Sequence, residues 1–349
     1  MTPAEGRALF PVLQRLAYLN AGTFGPVAQP TADAVRKQLD TELEHGRFGK
    51  EFFERMLGLR TEARAALGSL VGASPEQVSL TASTTDGCNI VLAGLDLGPE
   101  DEIVTTREEH FGLLGPVHAS GARVVVVAAE PEAILAAVTP RTRLLALSQV
   151  LWTTGRVLPV RELREQTGVP VLVDGAQSVG AIPVDADGVD FLTISGQKWL
   201  CGPDATGGLI VADPERLRVA WPSYFSQTAY EETGSFQPAV GAARFDPGWI
   251  ATASLAGLVT ALELPAEWRF ERAAEQAARC RQLLALLVDL VPGDATLVAF
   301  HTEDPPALVA TLFAAGIVVR DLPGTRLVRV SCGWWTNDED LERLATAIA

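Results

Sequence analysis

The sequence predicts an α/β protein: a large doubly wound domain on a mainly parallel sheet, followed by a smaller α/β C-terminal domain. Three observations carry that expectation. Strand-like and helix-like segments alternate from Gln77 to Val211. The strand-like runs are continuously apolar, as in a sheet covered on both faces, rather than alternating apolar with polar. The 349 residues suffice for about two domains, each with its own core.

The elements follow in order. Residues 31–46 and 51–70 ("EFFERMLGLRTEARAALGSL") repeat apolar positions at helical spacing and read as amphipathic helices. "QVSLTA" reads as a strand and "TTDGCNIVLAGLDL" as a helix. The same order recurs in "DEIVTT" and "FGLLGPVHASG", in "ARVVVVAA" and "PEAILAAVT", and in "TRLLALSQV" and "VRELREQTG". "VPVLVDGAQ", "VDFLTIS" and "GGLIVAD" add three strands. Residues 221–249 show no clear period and read as a long functional loop. Helices are expected at 251–266 and about 268–290, and the remainder supplies the strands and helices of the small unit. The large domain is therefore placed at 20–252, and the small one at 1–19 and 253–349.

Composition narrows the function. The chain is 48% hydrophobic and 20% charged, which suits a globular protein. A net charge of −15 repels phosphate backbones and anionic membranes, so neither nucleic acid nor a membrane surface is an expected partner. The four cysteines (Cys88, Cys201, Cys280, Cys332) lie far apart, with no C-x-x-C and no histidine pair at ligand spacing, so neither a disulfide framework nor a metal site is expected. The first residues lack a basic stretch followed by an apolar one, and no segment approaches 18 uninterrupted apolar residues. A soluble cytoplasmic protein is the expectation.

Ligands of such sheets bind beyond the carboxyl ends of the strands, and four strand ends carry suggestive residues. After "QVSLTA", Thr84 and Thr85 open a helix whose free N–H groups suit a phosphate; taken alone, this is an ordinary helix start. His110 follows "DEIVTT", and by itself is an ordinary polar loop residue. Asp174 ends "VLVD" at a buried strand tip, where a carboxylate needs a partner, and Gln177 lies three residues on. A helix-capping aspartate is the plain alternative. In "VDFLTISGQKWLCGP", Ser195, Gln197 and Lys198 stand at another strand end. A lysine after so apolar a run either snorkels to the surface or is held in a pocket for chemistry.

One cofactor answers all four. Pyridoxal 5′-phosphate (PLP) needs an anion cradle, a stacking ring, a carboxylate for its pyridine nitrogen and an amine for its aldehyde. The block "VLVDGAQSVGAIPVD…VDFLTISGQKWLCGP…TGGLIV" resembles the signature of the fold-type I, class V aminotransferase family in the cysteine desulfurase superfamily. The likeness runs from "YLNAGTFGP" to "LVRVSCGWWTNDEDLERL". Within the superfamily, "TTDGCNIVLAGLDL", "SQVLWTTGRVLPV" and "VLVDGAQSVG" look most like cystine/cysteine C–S lyases, and somewhat like isopenicillin-epimerase-type members.

The resemblance implies a PLP-binding large domain with Lys198 as Schiff-base lysine, Asp174 on the pyridine nitrogen, Gln177 on the ring 3′-oxygen and His110 stacked on the ring. It implies Thr84, Thr85, Ser195 and Gln197 on the phosphate. Arg329 ("LVRVS") matches the family's carboxylate-binding arginine and Arg320 ("GIVVRDL") a second one in the lyases; surface arginines on an edge strand are the alternative. Asn20 ("YLNAG") would line the same pocket.

Three departures stand out. Gln197 replaces a histidine common before the lysine. Gly248-Trp249 replaces the Gly-Thr that reaches the neighbouring subunit's phosphate, so as a cofactor-binding residue Trp249 would donate its indole N–H in place of the threonine, or would shape the pocket from across a homodimer interface. "TLFAAGIVV" lacks the cysteine that carries persulfide in desulfurases. The sequence therefore points to a PLP-dependent enzyme acting on a small amino acid. β-Elimination is favoured, and a class V transaminase or epimerase is the alternative.

Overall fold

A computed structural model describes residues 1–349. Its main sheet has seven strands, in spatial order Val78–Thr81, Gly207–Val211, Phe191–Ser195, Val171–Asp174, Thr142–Ser148, Glu102–Thr106 and Arg123–Val127. The last five pair in parallel. Gly207–Val211 alone runs against both its neighbours. The reason is local: residues 196–206 are too few for a helical crossover, so the chain turns back beside the strand it has just left.

Side-chain alternation divides the core. On Thr142–Ser148, Leu145 and Leu147 face one side and pack with Leu67, Val173 and Leu258. Leu144 and Ala146 face the other side and pack with Val91, Leu113 and Leu172. Helices thus cover both faces, and the apolar strand pattern is explained.

The smaller sheet is antiparallel, ordered Asp289–Val291, Leu297–His301, Leu327–Ser331, Arg320–Asp321. Helices Arg269–Leu284, Pro305–Ala314 and Asp338–Ile348 pack on it. The short strand Ala17–Tyr18 pairs in parallel with Ile317–Val318, which brings the start of the chain to its end.

Two expectations are corrected. Residues 221–249 are not wholly irregular: Gln227–Tyr230 and Phe236–Pro238 form a hairpin, and Gly241–Phe245 a single 3₁₀ turn. The hairpin is largely solvent-exposed, so it carries no apolar period to read. The helix expected to reach about 290 ends at Leu284, and Asp289–Val291 instead joins the small sheet's edge. An apolar run such as "LLALLVDLV" satisfies either period.

The 221–249 segment is anchored by Asp246, whose fully buried carboxylate accepts from Arg60 Nη2 (2.5 Å), Arg64 Nη2 (2.5 Å), Ser79 Oγ (3.1 Å) and the Leu80 N–H (3.0 Å). The Arg60 guanidinium also lies 4.0 Å from the ring centre of Phe225. Removing one member of a buried ionic cluster strands the others. Asp246→Asn is therefore expected to lower the unfolding free energy in urea by about 3–5 kcal/mol, with the slope unchanged.

Candidate active site

The carboxyl ends of the parallel strands put Thr106, Ser148, Asp174 and Ser195 along one edge. A cavity of about 240 Å³ opens there, lined by most of the residues singled out above. A larger cavity, about 400 Å³, lies beside Arg161 and Asp185 but holds none of them. The smaller one is the candidate because the charges converge on it.

Lys198 is half-buried in a turn closed at both ends, by Gly196 N–H to Thr206 C=O (2.8 Å) and Cys201 N–H to Lys198 C=O (3.0 Å). The loop at Gly25 lies directly on this turn. Its N–H donates to Gln197 C=O at 2.8 Å, and a Cβ there would sit 2.1 Å from the Lys198 oxygen, so only glycine fits. Desolvation lowers the Lys198 pKa to about 8; Arg329 and Arg320 push the same way, and Asp174 opposes them. The sequence itself marks this lysine out. Lysine occurs at three positions only, and the other two, Lys37 and Lys50, are exposed on surface helices.

Asp174 is buried, with Oδ1 accepting from the Ala176 N–H at 2.9 Å and Thr193 Oγ1 at 3.5 Å; Oδ2 takes no bond from the chain. His110 caps helix Phe111–Ala119, and its Nδ1 accepts from the Gly112 N–H at 3.0 Å, which leaves the proton on Nε2. Desolvation, then the Lys198 charge, lower its pKa. Gln177 donates through Nε2 to Gly22 C=O (2.9 Å) and accepts at Oε1 from Trp199 Nε1 (3.0 Å), so one amide N–H stays free.

Thr84 and Thr85 are the first residues of helix Thr84–Leu95, and their N–H groups point out of its start unpaired, as a first turn requires. Ser195 Oγ donates to Gln197 Oε1 at 2.8 Å, leaving the Gln197 amide nitrogen free. Together they form an anion cradle on the positive end of the helix.

Across the cavity stand two arginines. Arg320 and Arg329 are paired across antiparallel strands, and their guanidinium groups meet at Thr23 Oγ1, at 3.1 and 3.4 Å. Arg329 also donates to the Trp152 carbonyl at 2.8 Å, and its Nε is buried without a partner. Burial and Arg320 bring its pKa down to about 9. Neither arginine hydrogen-bonds a carboxylate of the chain. A Cβ at Gly22 would sit 2.7 Å from Arg329 Nη2, which explains that glycine too.

Three expected residues stand off the cavity wall, the first being Asp174, which is buried at its strand end and is not among the lining residues. Asn20 does not line the cavity; its Oδ1 accepts from Thr23 Oγ1 at 2.8 Å, one layer back. Trp249 is 63% exposed, outside the cavity, and packs on Phe225 with ring centres 4.7 Å apart. Sequence reasoning missed Thr23, Trp152 and Glu109. Glu109 is buried and accepts from Thr106 Oγ1 (2.8 Å) and the Ser148 N–H (2.9 Å), and desolvation raises its pKa to about 7. All four cysteines are buried and unpaired. The Cys201 thiol is pushed up by desolvation, and its backbone takes a left-handed φ of 55° in the lysine turn.

Residues 19–344 match the family model described as aminotransferase class-V. The cystine C–S lyase C-DES, solved with its reaction product cysteine persulfide, superposes with a TM-score of 0.91 at 30% identity, over 97% of this chain and 98% of that one. A C-DES variant with glycine covalently linked to its PLP cofactor gives 0.92 at 29%, over 98% of each chain. Isopenicillin N epimerase of Streptomyces clavuligerus is 28% identical over 99% of this chain and 96% of its own. A cysteine desulfurase of Enterobacter sp. (strain 638) is 30% identical over 80% and 76%.

Burial, reinforced by the two arginines, makes Lys198 titratable under mild conditions. Amine labelling of the Lys198 peptide in the ligand-free protein is expected to rise with pH around a midpoint near 8. In Asp174→Asn, which removes the one opposing charge, that midpoint is expected to fall.

Proposed function

The chain belongs to the aminotransferase class-V family, and on that premise we propose a PLP-dependent enzyme that works at the α-carbon of a small amino acid. β-Elimination is the reading preferred, as a C–S lyase on cystine or a cysteine derivative. One observation carries it: the Lys198 amine shares one cavity with two arginines whose hydrogen bonds end on no carboxylate of the chain. The likeness to C-DES over nearly the whole chain supports the choice of reaction.

The residues suit the cofactor. Thr84, Thr85, Ser195 and Gln197 would hold its phosphate, the open Oδ2 of Asp174 its pyridine nitrogen, the spare N–H of Gln177 its ring oxygen, and His110 its face. When bound, PLP supplies an aldehyde for the amino group and a ring that draws electrons from the substrate α-carbon.

The chain's own groups do the rest. At pH 7 an amine of pKa about 8 is neutral in roughly one molecule in ten, some three-hundredfold more than an unshifted lysine. Lys198 Nζ, released when the substrate amino group takes its place on the aldehyde, can then take the Cα proton as general base, and the β-substituent leaves as a thiolate or persulfide. Arg329, with Arg320 beside it, grips the α-carboxylate in a fork that fixes the direction of the Cα–H bond. Asn20 steadies this fork through Thr23.

The cysteines favour elimination without an enzyme thiol. A desulfurase thiol must be an accessible thiolate, whereas all four here are buried; desolvation pushes the Cys88 and Cys201 thiols up, and the contact with Cys280, then burial, pushes up Cys332. Released aminoacrylate hydrolyses to pyruvate and ammonia.

Epimerisation is the second reading, favoured by the epimerase similarity across the chain's full length. There the proton would return to Cα from the opposite face. Transamination on the same scaffold is distinguished by its need for an acceptor. The division into a cofactor domain at 20–252 and a small domain at 1–19 and 253–349 belongs to the same reading. So does a homodimer, in which exposed Trp249 with Tyr224 would meet the second copy. No helix is long and apolar enough to cross a membrane, and unpaired cysteines suit the reducing cytoplasm.

Incubation with cystine is expected to yield pyruvate without any added keto acid. Glutamate formed only with 2-oxoglutarate would instead identify a transaminase, and loss of optical purity without pyruvate an epimerase. Borohydride should fix PLP on the Lys198 peptide, and Lys198→Ala should abolish turnover. Arg329→Ala should raise KM by about a hundredfold, the loss of a charge-assisted fork, with a much smaller change in kcat.

A further inference from the structure

Trp152 has no role in the reading above, yet it touches both halves of the cavity. It lies in the segment that leaves strand Thr142–Ser148 and crosses to the small sheet, where the Ala295 N–H donates to Gly155 C=O at 2.9 Å. Two acidic side chains fasten the turn before His110 to this segment. Glu109 accepts from the Ser148 N–H and Glu108 from Thr153 Oγ1, both at 2.9 Å.

The Trp152 ring meets the His110 ring edge to face, with centres 5.1 Å apart and planes at 86°. That is a preferred arrangement for aromatic pairs. The Trp152 carbonyl, meanwhile, accepts from Arg329 Nη1 at 2.8 Å. Its indole Nε1 is buried without a partner, so the ring, and not the polar atom, holds the residue in place.

We propose that Trp152 is a positioning residue that ties the ring of His110 to the guanidinium of Arg329, keeping the cofactor-facing and carboxylate-facing walls at one fixed separation. The inference rests on the PLP reading and deepens it. His110 sits on the large domain's strand-end loop and Arg329 on the small sheet. A reaction at Cα needs both in register, because small misplacements of a clamped substrate cost large factors in rate.

The test compares wild type with Trp152→Phe, Trp152→Leu and Trp152→Ala, the leucine variant guarding against a collapsed cavity. Each is loaded with PLP, and the dissociation constant and visible circular dichroism of the bound cofactor are recorded. Each is then titrated with L-alanine and with ethylamine, which lacks the carboxylate. The leucine and alanine variants should alter the dichroism and weaken L-alanine about tenfold more than ethylamine. Phenylalanine, which keeps a ring edge, should restore most of both. A leucine variant with wild-type dichroism and a wild-type ratio of the two affinities overturns the inference, as does equal weakening of both amines. Wild type that takes up no PLP overturns the functional reading and the inference together; wild type that loads while the variants match it overturns the inference alone.

Discussion

Positive charge in excess of carboxylate governs this pocket. Lys198, Arg320 and Arg329 converge on about 240 Å³, and the hydrogen bonds of the two arginines end on a threonine hydroxyl and a peptide carbonyl. Such charges are costly to hold out of water, and two consequences follow at once. The amine of Lys198 gives up its proton more readily, and the cavity favours an anion wherever one is offered. Reactivity and binding thus share a physical origin.

The fold bears this cost by distributing it. The main sheet contributes the amine, the aspartate and the helix start, all at the carboxyl ends of its strands. The antiparallel sheet contributes both arginines, placed side by side by strand register. Between them runs the loop of Gly22, Thr23 and Gly25, which approaches so closely that two of its residues have no room for a side chain. Ligand binding to such a site stabilises the folded state by linkage, so an anionic ligand would offset part of the strain its own binding site creates.

Much of this was legible in the chain. Continuous apolar strands announced a covered sheet, and Lys198 and Asp174 were conspicuous because charged residues at the ends of buried strands need a reason. Pairing was harder to read. Nothing in "IVVRDL" says that Arg320 will stand opposite Arg329, since register depends on both strands. Thr23, Trp152 and Glu109 escaped notice because their partners lie dozens to hundreds of residues away or belong to the backbone. The hairpin within 221–249 was missed for the opposite reason: its exposed strands need no apolar pattern, and its place is fixed by the distant clamp on Asp246. Trp249 illustrates the limit, because a single chain leaves its ring facing solvent.

The parallel pair Ala17–Tyr18 with Ile317–Val318 sets a timetable for biogenesis. Its two strands lie some three hundred residues apart, so at ribosomal speed the first waits roughly 15–60 s for the second. Throughout that interval the glycine loop has nothing to close against on the arginine side. The nascent large sheet can form early, but the pocket is completed only as the final stretch of polypeptide emerges, and a chain cut short there would lack both arginines.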